Sequence, residues 1–304
     1  MKLKMKYLVM MLVALSALFF TACSNEGDSV EGKTDSIFKS KGKAGKSSDI
    51  IFQSVEQTGG TSGKADSSAL ILTFDGDPAT LTADNIKVTG ATKGVLSGSG
   101  TTRSLSISKI TVANGATVSV EITNPSGYEI TGSPQTVLVH RSLYIGMPYL
   151  GGVIAYIYQP GDSGYVKGRV GGIIAAAKDQ SHGIMWAMED YQTTALPGST
   201  RTGLGSGRSN TDKIIAQNGR GSTYAAGLAR ACRNGGYSDW FLPSKDELNK
   251  LYVIRAAIGG FADANYWSSS MCDGSSAWDQ FFYGGFQNTF SKNTISRVRA
   301  VRYF

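Results

Sequence analysis

Cysteine and histidine are the first side chains to ask about chemistry, and this chain of 304 residues has few of them: Cys23, Cys232, Cys272, His140 and His182. Two histidines exclude a three-histidine zinc site or a multi-histidine relay. Cys232 and Cys272 could act as a redox or metal-binding pair only if the fold brought them together and one were held as a thiolate. No close spacing recommends that. Cys232 lies four residues after Leu228 on an apolar stripe, the pattern of a buried small hydrophobe, and an exported chain would also permit a disulfide between the two. His182 sits in no motif that would make it a base. Asp75 and Asp77 alternate as calcium ligands do, but the remaining oxygen ligands of such a loop are missing, so turn formation is the expectation. Gly203-Leu-Gly-Ser-Gly-Arg-Ser209 lacks the Lys-Ser/Thr of a phosphate loop and reads as a structural glycine loop. No catalytic residue, metal or cofactor is expected.

The charge has to be located before it is interpreted. A formal net charge of +7 suggests a polyanion partner. Yet Lys2, Lys4 and Lys6 precede an apolar run from Tyr7 to Phe20, the layout of a signal peptide over residues 1–22 whose apolar core is short for a membrane span. Without these three lysines the charge is +4. Phe19-Phe20-Thr21-Ala22-Cys23, followed by a polar tract, resembles a bacterial lipobox, with Phe20 where the pattern prefers Leu. The resemblance implies cleavage before Cys23, its acylation, and an outer-membrane lipoprotein displayed at the cell surface, held by acyl chains that each bury many methylenes. Residues 23–49 carry a Lys/Gly/Ser run, Lys39 to Lys46, and read as a flexible tether. The other basic residues are dispersed, so nucleic acid is not an expected partner.

The elements that would position a site follow from periodicity. Residues 50–141 alternate apolar and polar in short runs: Ile50–Gln57, Ser68–Phe74, Ile86–Thr89, Gly94–Leu96, Ser104–Ser108, Thr117–Ile122 and Thr136–His140. Seven short strands separated by Gly, Asn and Asp turns make a two-sheet sandwich. Leu81-Thr-Ala-Asp-Asn-Ile86 and Gly127-Tyr-Glu-Ile130 resemble the bacterial immunoglobulin-like modules of surface lipoproteins. Residues 142–304 hold all four tryptophans and mix strands, near Gly151–Tyr158, Gly172–Ala177 and Gly183–Ala187, with two helices. One helix spans Ser222–Ala231. The other starts at Ser244, which with Glu247 forms a capping box.

Within this second region, Gly235-Gly-Tyr-Ser-Asp-Trp-Phe-Leu-Pro-Ser-Lys-Asp-Glu-Leu-Asn-Lys-Leu-Tyr252, Tyr266-Trp-Ser-Ser-Ser270, Ala277-Trp278 and Arg297-Val-Arg-Ala-Val-Arg302 resemble the C-terminal domain of the Legionella collagen-like adhesin, as do Gly151–Ile154 and Gly203–Thr211. The resemblance implies an α+β C-type-lectin-like fold of the formylglycine-generating-enzyme variety. The expected fold class is therefore multi-domain, an all-β immunoglobulin-like sandwich followed by that lectin-like domain. The head is also similar to those of tethered spirochaetal lipoproteins diversified by retroelements, which rewrite the adenines of AAC-type codons and so never produce Glu, Lys, Gln, Met or Trp. Between Cys272 and Ser296 the residues outside the permitted set are Trp278, Gln280, Gln287 and Lys292.

Residues 271–296 combine aromatic and small polar side chains without a helical stripe, the make-up of a recognition loop. The expected ligand face is Cys272, Asp273, Gly274, Ser275, Ser276, Asp279, Phe282, Tyr283, Phe286, Thr289, Phe290, Ser291, Thr294, Ile295 and Ser296. Trp278, Phe281, Trp240, Trp267, Arg297, Arg299 and Arg302 are expected to build the frame. The function this implies is a monomeric, lipid-anchored binding protein, an adhesin or receptor, for a protein or glycan on another cell or host surface. The alternative is an enzyme or redox protein related to the formylglycine-generating enzymes, using Cys232 and Cys272.

Overall fold

A computed structural model describes residues 47–304. The signal peptide, Cys23 and nearly all of the tether lie outside the described residues. The chain folds into several β-sheets with few helices.

The first eight strands are β1 (Ser48–Thr58), β2 (Ala69–Phe74), β3 (Ile86–Thr89), β4 (Thr92–Ser97), β5 (Thr102–Ser108), β6 (Thr117–Ile122), β7 (Tyr128–Thr131) and β8 (Gln135–Leu138). They form a five-stranded sheet, β4-β5-β2-β1-β7, and a three-stranded sheet, β3-β6-β8. Alternation sets the inward faces. β2 buries Leu70, Leu72 and Phe74 on one side, β6 buries Val118, Val120 and Ile122, and the two sheets share one apolar cluster around Phe52 and Leu105. β1 starts two residues earlier than its alternation suggested, because Ser48–Ile51 pairs in parallel with Tyr128–Thr131 of β7, a strand the sequence did not single out. Arg103 occupies an inward position of β5, where its guanidinium donates to Asp77 Oδ1 at 2.6 Å and to the Gly100 carbonyl at 2.6 Å. Asp75 accepts from the Ile51 amide at 2.7 Å. The two aspartates thus tie the segment after β2 to β1 and to β5.

β1 begins beside Gly127 and ends at the 59–66 loop, which receives the next region: the Ser142 amide donates to Asp66 Oδ1 at 2.7 Å, and Leu143 to the Gly63 carbonyl. Its 11 residues span roughly 36 Å of extended chain, so the two sheets separate the entry of the chain from residues 142–304 by about that length.

The second region contains β9 (Pro148–Tyr149), β10 (Gly152–Ile157), β11 (Gly172–Ala175), β12 (Ser181–Met185), α1 (Gly207–Asn218), α2 (Ala225–Ala231), α3 (Lys245–Val253), α4 (Arg255–Ile258), β13 (Asn265–Met271), β14 (Ser276–Phe281), β15 (Gln287–Ser291), β16 (Ile295–Val298) and β17 (Val301–Tyr303). One sheet runs β17-β11-β10-β9 and the other β12-β16-β13-β14-β15. Trp186, Trp240 and Trp267 are fully buried in the main cluster; the indole N–H of Trp186 donates to the Ser268 carbonyl and that of Trp267 to the Ile184 carbonyl. α1 was not legible as a helix because its buried face is largely polar: Asn210, Thr211 and Asn218 lie inside beside Ile214. Tertiary bonds hold that face, Thr211 Oγ1 with the Leu242 amide at 3.0 Å and Asn210 Nδ2 with the Arg201 carbonyl at 2.6 Å. α3 carries the expected cap, since Ser244 N donates to Glu247 Oε2 at 2.8 Å and Glu247 N to Ser244 Oγ. Among the described residues no helix is long and apolar enough to cross a membrane, and no group of three or more His, Cys, Asp or Glu is placed to hold a metal ion.

Candidate functional site

The segment 271–296 runs from the last residue of β13 to the first two of β16 and is mostly β14 and β15, an antiparallel hairpin with Ser276 opposite Ser291 and Gln280 opposite Gln287, on the edge of the five-stranded sheet. Its tip, Phe282 to Phe286, is pinned rather than free. Phe282 N donates to the Ala264 carbonyl, and the Phe282 ring stacks on Phe261 at 4.6 Å and tilts against Tyr266 at 4.4 Å. Gly285 has φ +81°, and a Cβ there would lie 2.4 Å from the Tyr252 ring, so glycine permits both the turn and the close approach to α3. Gln280 Nε2 donates to Asn249 Oδ1 and Gln287 Nε2 to the Lys245 carbonyl, bonding both strands to α3. What the pinned tip leaves outside is aromatic: Tyr283 is 70% and Phe286 67% exposed.

The opposite end of the hairpin is polar and is built on a buried cation. Lys292 is fully buried, and its Nζ donates to the Thr194 carbonyl at 2.8 Å and the Gly274 carbonyl at 2.6 Å, 5.1 Å from the Trp186 ring centroid. Burial pushes its ammonium pKa down, and the Asp273 charge opposes that. Above it, Asp273 accepts from the Ser275 and Ser276 amides, each at 2.8 Å; these bonds, that of Ser275 first, hold its carboxyl down to about 2. Cys272, Asp273, Ser275 and Ser291 are exposed here, while Gly274, Ser276 and Thr294 are half-buried.

Three residues assigned to the ligand face are instead interior. Asp279 is 1% exposed, with burial pushing its carboxyl up to about 7; it accepts from Ser296 Oγ at 3.3 Å, and its Oδ1 has no partner among the described residues. Ser296 is itself buried. Phe282, at 1%, fills the aromatic cluster. β14 has both edges paired, with β13 and β15, and α3 packs on it through Asn249, so composition alone cannot mark which small residue turns inward. Phe290 is half-buried against the tryptophan cluster, whereas Thr289 and Ile295 are exposed. The remaining candidates do not form one patch: the tip and the Cys272–Ser275 turn lie at opposite ends of the six-residue β14, roughly 20 Å apart, and Ile295 lies on β16 beyond β13.

The four residues outside the AAC-permitted set all make framework contacts. Gln280, Gln287 and Lys292 hold the bonds just described, and Trp278, half-buried like Phe281, carries the Lys245 ammonium 3.6 Å over its ring. The arginines brace the frame. Arg299 is fully buried, donating to Asp179 at 2.7 Å and to the Ala176, Gly259 and Gly260 carbonyls, while Asp179 also accepts from Tyr266 and Arg297. Arg302 pairs with Asp239 at 2.8 Å. The glycine loop is structural too: Gly205 N donates to Glu247 Oε1, and a Cβ on Gly207 would lie 2.2 Å from Glu247 Oε2. Glu247, missed as anything but a cap, also accepts from Tyr303 at 2.6 Å, and desolvation raises its pKa. Cys232, at the end of α2, is buried, with its thiol pushed up by burial; Cys272 is exposed, and both are free thiols.

Residues 175–302 match the family described as the Lcl C-terminal domain. Gly151–Ile154, which the sequence motifs attached to the same family, lies outside the matched span. A fimbrial protein from Bacteroides ovatus is similar in structure at 10% identity and TM-score 0.38, over 84% of this chain and 70% of that one. No curated protein matches the chain.

Proposed function

We propose that this chain is a binding protein of adhesin type, displayed at the cell surface, whose recognition site is the aromatic tip of the β14–β15 hairpin. The observation that carries the reading is the contrast of neighbours on that tip: Phe282 locked inside, Tyr283 and Phe286 outside on a base bonded to α3. Rigid exposed aromatics supply contact area at low entropic cost and are enriched among the residues that dominate binding energy. The match of residues 175–302 to the Lcl C-terminal domain supports an adhesin-like surface role. The finer reading has an immunoglobulin-like spacer carrying a C-type-lectin-like head, an outer-membrane lipid anchor at Cys23, and a protein or glycan partner on another surface. It also takes the hairpin as a retroelement-diversified cassette, which is supported by the framework roles of Trp278, Gln280, Gln287 and Lys292. The head acts as a monomer and without catalysis; the separate settings of Cys232 and Cys272, one buried at a helix end and one exposed in a turn, favour this over a redox pair.

The test is adhesion of cells displaying the wild-type chain or the Tyr283→Ser/Phe286→Ser double variant to a panel of host and bacterial surfaces. Loss of adhesion at an unchanged melting temperature is expected. Undiminished adhesion by the double variant would remove the tip from the site.

A further inference from the structure

α1, α2 and the loop between them border a cavity of about 630 Å³ that lies open to solvent on one side, within the range of roughly 300–1,000 Å³ typical of small-molecule sites, and no residue of the hairpin lines it. Its shape depends on Gly227, where a Cβ would meet the Gly221 carbonyl at 2.1 Å, so the loop after α1 folds closely over α2. Three guanidinium groups, Arg220, Arg230 and Arg233, line it against one carboxylate, Asp212. Arg230 pairs with Asp212 at 2.5 Å through Nη2, yet its Nε–H is buried with no acceptor among the described residues. Arg233 bonds only chain carbonyls, those of Arg230 and Cys232, and Arg220 and Arg233 form no ion pair among the described residues. The hydroxyls of Ser222 and Ser238 complete the lining.

Arginine remains cationic throughout the physiological range, and its donors match carboxylate and phosphate oxygens. After Asp212 is counted, two positive charges border the cavity. We infer that this cavity is a second binding site, for a small molecule bearing a dianionic group, either a phosphate monoester or a dicarboxylate. It is distinct from the hairpin tip and does not depend on the reading given to that tip.

The experiment is calorimetric titration of the full chain with inorganic phosphate, glycerol phosphate and succinate, with acetate and chloride as controls at matched ionic strength. Saturable binding of at least one of the three dianions, absent for acetate and chloride, is expected, and which of them binds identifies the phosphate or dicarboxylate source. Arg230→Gln and Arg220→Gln should each weaken it by at least about tenfold, as loss of a charge-assisted contact implies. If Arg230→Gln disturbs the fold by freeing Asp212, Arg220→Gln, on an exposed loop, decides the matter. Tyr283→Ser/Phe286→Ser should bind the anion as wild type does, so failure of this site and failure of the hairpin site are separable. Equal responses to acetate and the dianions, no saturable binding, or wild-type affinity in Arg220→Gln would overturn the inference.

Discussion

Replacing Phe282 by Ala and, separately, Tyr283 by Ala sets two adjacent aromatics of the same tip against each other. Phe282 is 1% exposed and touches three rings, Tyr252 at 5.6 Å, Phe261 at 4.6 Å and Tyr266 at 4.4 Å. Truncating a buried phenyl ring costs about 3–5 kcal/mol from lost transfer energy and the cavity left behind. The cluster is closed by α3, β13 and the hairpin together, so little can collapse into the gap, and the upper half of that range is expected. Tyr283, at 70% exposure, loses contacts only with water and the half-buried Phe281 ring 6.1 Å away, so its truncation should fall within about 0.5 kcal/mol. At about 2–4 °C per kcal/mol for a chain of this size, the melting temperature should drop by roughly 8–20 °C for Phe282→Ala and by less than about 2 °C for Tyr283→Ala. Calorimetry on both variants reads the difference directly, with urea midpoints at unchanged m as the equilibrium check. A drop of under about 3 °C for Phe282→Ala, or equal drops for the two variants, would refute the division of the tip into an interior and a display side.

Other consequences concern the frame beneath the hairpin. Arg299→Met leaves Asp179 facing only Tyr266 and Arg297 and strips three carbonyls of their donor; breaking a buried pair in this way should cost about 3–5 kcal/mol in urea unfolding, and a loss below about 1 kcal/mol would show that the pair merely offsets its own desolvation. Asp279 gives a pH signature. Its folded pKa, raised to about 7, exceeds the unfolded value of about 3.9, so the folded state holds the proton more tightly between these two values. Stability should therefore fall as pH rises across that window, by at most roughly 1.4 kcal/mol per unit, and level off above it. Asp279→Asn should flatten the profile and gain most above pH 7; identical wild-type and variant profiles in urea midpoints from pH 4 to 8 would rule out the buried carboxyl as the cause.

Much of the organisation was legible wherever one residue pattern dictates one local outcome. Period-two alternation marked β2, β5 and β6, because a strand with one covered face has no other way to place Leu70, Leu72 and Phe74 together. Ser244 and Glu247 announced the start of α3, because a capping box satisfies two amides with side chains three residues apart. Aromatic and small polar composition marked the hairpin as a candidate recognition segment, and the frame role expected of Arg299 and Arg302 follows from a guanidinium's capacity to bind several carbonyls and carboxylates at once. Tertiary structure alone decided the rest. α1 has too few apolar residues to show a stripe, and its polar face is inside only because the backbone of Arg201 and Leu242 meets Asn210 and Thr211 there. Asp279, Phe282 and Ser296 are chemically suited to a display surface, yet β13 and β16 on one side, and α3 with the Phe261 cluster on the other, enclose them. The separation of the tip from the Cys272–Ser275 turn follows from a hairpin register that the sequence does not reveal, and the charge imbalance between α1 and α2 gathers Arg220, Arg230 and Arg233 through packing that brings two helices and a loop around one cavity. Local pattern determines which residues can form an element; which of its faces meets solvent depends on partners far away in the chain.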